Sequence, residues 1–152
     1  MYKKGRCLCG KVTYQLEKSP LFVQACHCSL CQRITGTAFN LIMVIEDKEF
    51  TILSGDITTF EFKGGSGALY DIYSCRCCGN GLWGKPRESV KDITFVRSGT
   101  LEITKDIRPL AHIFTEFKQD WVLLPEDTPQ FEGMYDLEST WPAESRKRLE
   151  AT

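Results

Sequence analysis

The chain has 152 residues, 42% of them hydrophobic and 26% charged, with a formal net charge of −1. That length is enough for one domain with its own hydrophobic core, and the near-zero charge supplies no basic field for nucleic acid or anionic lipid. No apolar run follows the positive start MYKKGRCLCG, and LIMVI at 41–45 is far too short to cross a bilayer, so a cytoplasmic protein with no membrane partner is expected.

Short alternating or β-branched runs, split by turn residues, predict strands along most of the chain. GKVTYQL at 10–16 alternates, and LFVQAC at 21–26 leads into a cysteine cluster. SLCQRITG at 29–36 reads as a helical turn closing at Gly36, with Ser29 expected to cap it. TAFNLIMVI, EFTIL, TTFEF, ALYDIYSC and DITFVRSG follow as further strands, with GGSG at 64–67 joining TTFEF to ALYDIYSC as a hairpin. PLAHIF places His112 on an apolar strand, where a core histidine is the expected reading. Trp83 and Trp121 are expected in the core or at the edge of a pocket. PAESRKRLEAT, with Glu144 and Arg148 four apart, is a candidate helix whose charge run is expected to be solvated. The sum is one mostly antiparallel β domain with little helix.

Eight cysteines fall into three groups: Cys7 and Cys9; Cys26, Cys28 and Cys31; Cys75, Cys77 and Cys78. Thiols one or two residues apart converge on a metal more readily than they pair as disulfides. In an extended strand, residues two apart share a face, so Cys7 and Cys9 would present both sulfurs together. In CRCCG, Gly79 takes the backbone shape that a tight knuckle needs. A structural zinc takes four ligands, and Cys7, Cys9, Cys75 and Cys78 are the simplest closed set. Cys26, Cys28 and Cys31 then remain as three ligands, the form of a catalytic zinc with one position for water or substrate. The alternative is a closed site in which His27, or a residue elsewhere, is the fourth ligand. In an extended stretch His27 would point away from its thiol neighbours, towards a substrate or a supporting role. Cys77 either replaces Cys78 in the knuckle or is a plain buried thiol, and the plain thiol is preferred.

GRCLCGKVTY, then CHCSLCQR with a glycine three residues on, then CRCCGNGLW, SGTL and HIF ahead of a tryptophan resemble the glutathione-dependent formaldehyde-activating enzyme family, which also includes centromere protein V-like domains. The resemblance runs from about Gly5 to Trp121, leaving 122–152 as a C-terminal extension of a single domain over 1–152. It implies a tent-like β fold of small antiparallel sheets around a structural zinc on Cys7, Cys9, Cys75 and Cys78. It also implies a second zinc on Cys26, Cys28 and Cys31, and a carbon–sulfur lyase-type reaction joining glutathione and formaldehyde into S-hydroxymethylglutathione. Arg33 and His27 are the expected substrate contacts. Gln32 stands where family members often carry an arginine, and ALYDIYSC holds Asp71 but no cation. Glutathione has two carboxylates, for which a site should offer cations. A non-catalytic zinc-stabilised binding module is the rival reading, and exposed strand edges would suit a homodimer.

Overall fold

The computed structural model describes residues 3–64, 67–88 and 92–152. Ten strands form two sheets. β1 (Lys3–Arg6), β2 (Thr13–Leu16) and β5 (Phe50–Ser54) make an antiparallel three-stranded sheet in the order β1-β2-β5. The other seven are β3 (Phe22–Cys26), β4 (Asn40–Glu46), β6 (Ile57–Lys63), β7 (Leu69–Cys75), β8 (Gly81–Pro86), β9 (Ile93–Arg97) and β10 (Ala111–Ile113). Their order is β10-β3-β4-β9-β8-β7-β6, antiparallel except where β10 runs parallel to β3.

Burial explains the order. Met43 to Glu46 of β4 are all buried, as expected of a central strand covered on both faces. At one edge β6 carries Thr, Glu and Lys, which blunt it against pairing with another chain. Lys63 pairs with Leu69 where the expected hairpin closes, although Gly65 and Ser66 of its connection lie outside the described residues.

Two core clusters result. The first gathers Tyr14, Leu16, Met43, Trp83 and Val96 with Cys7 and Cys75. Trp83 is its centre, stacked on Tyr73 at 5.6 Å and edge-on to Tyr14 at 5.9 Å. The second gathers Phe22, Val44, Ile93 and Ile113 with Cys26, and reaches into the C-terminal segment for Tyr135 and Trp141. Trp141 stacks on Phe22 at 5.3 Å, while the Tyr135 hydroxyl donates to Gln24 Oε1 at 2.5 Å and accepts from Trp141 Nε1 at 2.8 Å.

Among the described residues there are three α-helices: α1 (Ser29–Thr35), α2 (Leu137–Thr140) and α3 (Ala143–Glu150). The charge run on α3 is not simply solvated. Arg148 grips Glu46, buried at the end of β4, from Nε at 2.9 Å and Nη2 at 2.7 Å. A buried carboxylate needs a cation, and the tail delivers it. The sequence reading also missed β1 and β8, whose Gly-, Lys- and Pro-containing segments lack a clear alternation.

Candidate metal centres

Cys7 and Cys9 lie in the turn between β1 and β2, not on one face of a strand as expected. The turn closes with Cys7 N–H donating to the Val12 carbonyl at 3.0 Å and Gly10 N–H to the Cys7 carbonyl at 3.1 Å. The turn after β7 repeats this plan: Cys75 N–H donates to the Asn80 carbonyl at 3.0 Å and Gly79 N–H to the Cys75 carbonyl at 2.9 Å. Gly10 (φ 77°) and Gly79 (φ 72°), each directly after the second ligand cysteine of its turn, are left-handed, a conformation glycine adopts without steric cost. Two like knuckles face each other, tied by Leu8 N–H donating to Asn80 Oδ1 at 3.1 Å.

The sulfurs of Cys7, Cys9, Cys75 and Cys78 all lie within 4.8 Å of one another. Cys7 Sγ is 3.5 Å from Cys9 Sγ, which is 3.8 Å from Cys75 Sγ. A tetrahedral zinc with bonds of about 2.3 Å would place its sulfurs roughly 3.8 Å apart. The set fits such an ion. The thiols are electrostatically divided: the Asn80 and Cys9 backbone N–H groups lower Cys78 to about 6. The Lys11 backbone N–H pulls Cys9 down, but burial and the neighbouring sulfurs outweigh it and raise Cys9 to about 12. A divalent cation among four such sulfurs removes the conflict by holding all as thiolates. Cys77 stands outside the set and is exposed beside Lys11, not buried as expected, because the knuckle turns it outwards.

Cys26 ends β3, Cys28 follows two residues later and Cys31 sits in the first turn of α1; their sulfurs also lie within 4.8 Å of one another. The helix is capped by Cys28, whose sulfur accepts from the Cys31 backbone N–H at 3.3 Å, so the expected capping role of Ser29 falls to a thiol one residue earlier. Neighbouring Cys26 and Cys31, with the first-turn backbone N–H groups, hold Cys28 well below the ordinary thiol range. The same crowding pushes Cys31 up and raises Cys26 to about 12. Among the described residues no fourth histidine, cysteine or carboxylate joins this set.

His27 is fully buried and points away from the sulfurs to His112, with Nε2 3.0 Å from His112 Nδ1. It is therefore neither a fourth ligand nor a group facing a substrate. Burial, with His112 and Lys118 nearby, pushes His27 down to about 4, so the ring is neutral at ordinary pH. His112 is the core histidine expected, and burial lowers it too. Arg33 lies on the exposed outer side of α1, across a shallow groove from Trp121, and does not line the cavity described next. Trp121 is 73% exposed, donating Nε1–H to Gln119 Oε1 at 2.7 Å, and so is not a core residue.

The three sulfurs open into a cavity of about 380 Å³ walled by Ile42, Phe62, Ile72, Phe95 and Phe114, with Trp83 at its base. Arg97, at the end of β9, also reaches this cavity, and the sequence reading passed it over. The signal available was a cation ending an apolar strand just ahead of SGTL.

The chain is mostly β and carries one four-sulfur and one three-sulfur cluster, each able to hold a metal ion, a donor set consistent with zinc. The family model described as glutathione-dependent formaldehyde-activating enzyme matches residues 2–117, and the chain belongs to that family. A Rhodobacter sphaeroides protein of known crystal structure is similar, with 25% identity and a TM-score of 0.51 over 70% of this chain and 91% of that one. No curated protein matches the chain. No helix among the described residues is long and apolar enough to cross a membrane.

Proposed function

We propose that the protein is a zinc-dependent carbon–sulfur lyase-type enzyme that makes and breaks small thiol–aldehyde adducts. Glutathione with formaldehyde, giving S-hydroxymethylglutathione, is the parent reaction of the family, and a related pair would use the same steps. One observation carries this reading: three converging sulfurs, without a fourth described protein ligand, open into a cavity.

Cys26, Cys28 and Cys31 would hold the reactive zinc, while Cys7, Cys9, Cys75 and Cys78 would hold a structural one. The reactive ion supplies a position at which an incoming thiol is kept as thiolate at neutral pH. Three thiolate donors would favour that role over polarising the carbonyl. The thiol loses its proton, and its sulfur electron pair forms a bond to the aldehyde carbon. The carbonyl π pair moves to oxygen, which takes up one proton, so the addition is neutral overall; cleavage is the reverse. The apolar walls formed by Ile42, Phe95 and Phe114 keep bulk water from the aldehyde carbon, favouring sulfur addition over hydration. The Cys31 N–H on Cys28 Sγ stabilises the negative sulfur that the site needs.

The test begins with metal per chain in protein purified without chelator, then challenged with a thiol. About two zinc ions, the second released or spectroscopically shifted by thiol, are expected. Adduct formation, followed by NMR of labelled formaldehyde, should disappear in Cys28→Ser. One zinc per chain, indifferent to thiol, would replace this reading with a zinc-stabilised binding module.

A further inference from the structure

The cavity holds a charge that thiol addition does not require. Arg97 is half-buried, and its guanidinium forms one hydrogen bond to protein among the described residues, from Nη1 to the Gly81 carbonyl at 3.3 Å. No described carboxylate lies within ion-pair distance of it. Space has been left for the group: a Cβ on Gly81 would fall 2.5 Å from Arg97 Nη1. With one hydrogen bond and no carboxylate partner, this half-buried cation has most of its N–H donors unfilled by described residues. A guanidinium in this state is completed by an incoming anion, ideally a carboxylate that accepts two parallel hydrogen bonds.

The cavity's composition limits what that anion can be attached to. Apart from the thiols, its only charged described lining residues are Arg97 and the exposed Glu116. Phe62, Tyr70, Ile72 and Phe95 also line the cavity. Glutathione brings two carboxylates and an ammonium group. Setting the surplus charges against phenylalanine and isoleucine is costly unless each is paired. The other route for them is an open groove of about 770 Å³, lined by Arg6, Thr35 and Asn80, which Arg97 and Gly81 line as well.

Resting on the carbon–sulfur reading of this site, we propose that its thiol substrate is an aryl or branched-alkyl sulfanyl acid with a single carboxylate. The carboxylate pairs with Arg97, and the apolar group lies against Phe62 and Phe95. Glutathione is then a poor ligand of this member of the family.

Probes without a thiol separate recognition from metal chemistry. Calorimetry on the metal-loaded protein would compare 3-phenylpropionate, its neutral isostere 3-phenylpropanamide, and S-methylglutathione. The acid should bind about tenfold tighter than the amide, and S-methylglutathione at least about tenfold weaker than the acid. Arg97→Gln should bring acid and amide within about twofold while leaving amide affinity unchanged. Gly81→Ala keeps the charge but displaces the guanidinium, and should reduce the same preference even if Arg97→Gln fails to fold.

S-methylglutathione binding as tightly as the acid, through an Arg6-dependent contact, would overturn the proposal. So would an acid preference that survives both substitutions. The carbon–sulfur reading is examined separately, by the visible spectrum of cobalt-substituted protein with 3-phenyl-2-sulfanylpropanoate. Failure of that thiol to perturb cobalt, with Arg97-dependent acid binding intact, would remove the thiol reaction and leave the carboxylate recognition standing.

Discussion

The two cysteine clusters use the same ligand atom for opposite ends. Cys7, Cys9, Cys75 and Cys78 sit in two facing turns, each braced by backbone hydrogen bonds, and all but the exposed Cys9 pack in the cluster around Trp83. Cys26, Cys28 and Cys31 sit where a strand becomes a helix and belong to the other cluster, beside a cavity. The first has as many sulfurs as a tetrahedral ion accepts, and the second has one fewer. On the proposed reading, one missing ligand, together with a cavity, separates a clamp from a reaction centre.

Loss of a clamp sulfur should therefore have the largest effect. Cys75 is fully buried, and a closed four-thiolate zinc contributes on the order of 10 kcal/mol of metal-linked folding free energy. That is comparable with the whole stability margin of a domain. Cys75→Ser should lose cooperative thermal unfolding by circular dichroism, and a strong chelator should do the same to the unaltered chain. A variant that melts cooperatively near the unaltered protein would remove the structural role.

Cys31→Ser is the contrasting experiment. Cys31 is only partly buried on a short helix, so the fold should survive with a shift of a few degrees, about 1 kcal/mol. Metal content should fall by one ion per chain, and adduct formation should be lost. If Cys31→Ser unfolds as Cys75→Ser does, the division between clamp and centre is wrong.

A third substitution asks whether the two halves are held separately. Arg148 spans from α3 to Glu46 at the end of β4, within reach of the cluster that carries Cys26 but not the clamp. Arg148→Ala strands a buried carboxylate, a loss of about 3 kcal/mol. Hydrogen exchange should rise first in β3, β4 and the C-terminal segment, with β7 and β8 still protected. Uniform exposure would mean that the two clusters open as one unit.

The fate of Glu46 shows what sequence reading could reach. The grouping of the sulfurs was legible in part because C-x-C and C-x-x-C bring sulfurs together over two or three residues; joining Cys7 and Cys9 to the distant Cys75 and Cys78 came from counting to four ligands. The β class was legible because LIMVI and TTFEF carry it in short windows. Arg97 and Arg148 were not legible. Each acquires its role from a residue far along the chain, Gly81 for one and Glu46 for the other; Arg148 carries no local signal, and that of Arg97, a cation ending an apolar strand, does not reveal its partner. His27 misled for the same reason, since its partner His112 is 85 positions away. Strand–turn–helix geometry, not alternation, sets where its ring points.

The smallest effect at neutral pH concerns that buried histidine pair, and it separates the two regions by acid sensitivity. His27 stands directly behind the three-sulfur centre, and no histidine belongs to the clamp. Its folded pKa, near 4, lies below the ordinary value of 6.5 because burial disfavours the charged ring. Between those values the unfolded chain binds the proton and the folded one does not. Its neutral packing thus contributes fully above about pH 6.5 and is lost as pH falls towards 4. Long-range nitrogen–proton NMR should show the His27 ring neutral at pH 6, with titration only near the acid limit of the fold. A His27 titration midpoint at or above 6.5 would mean that the ring meets water, and that the centre's rear wall is open rather than sealed.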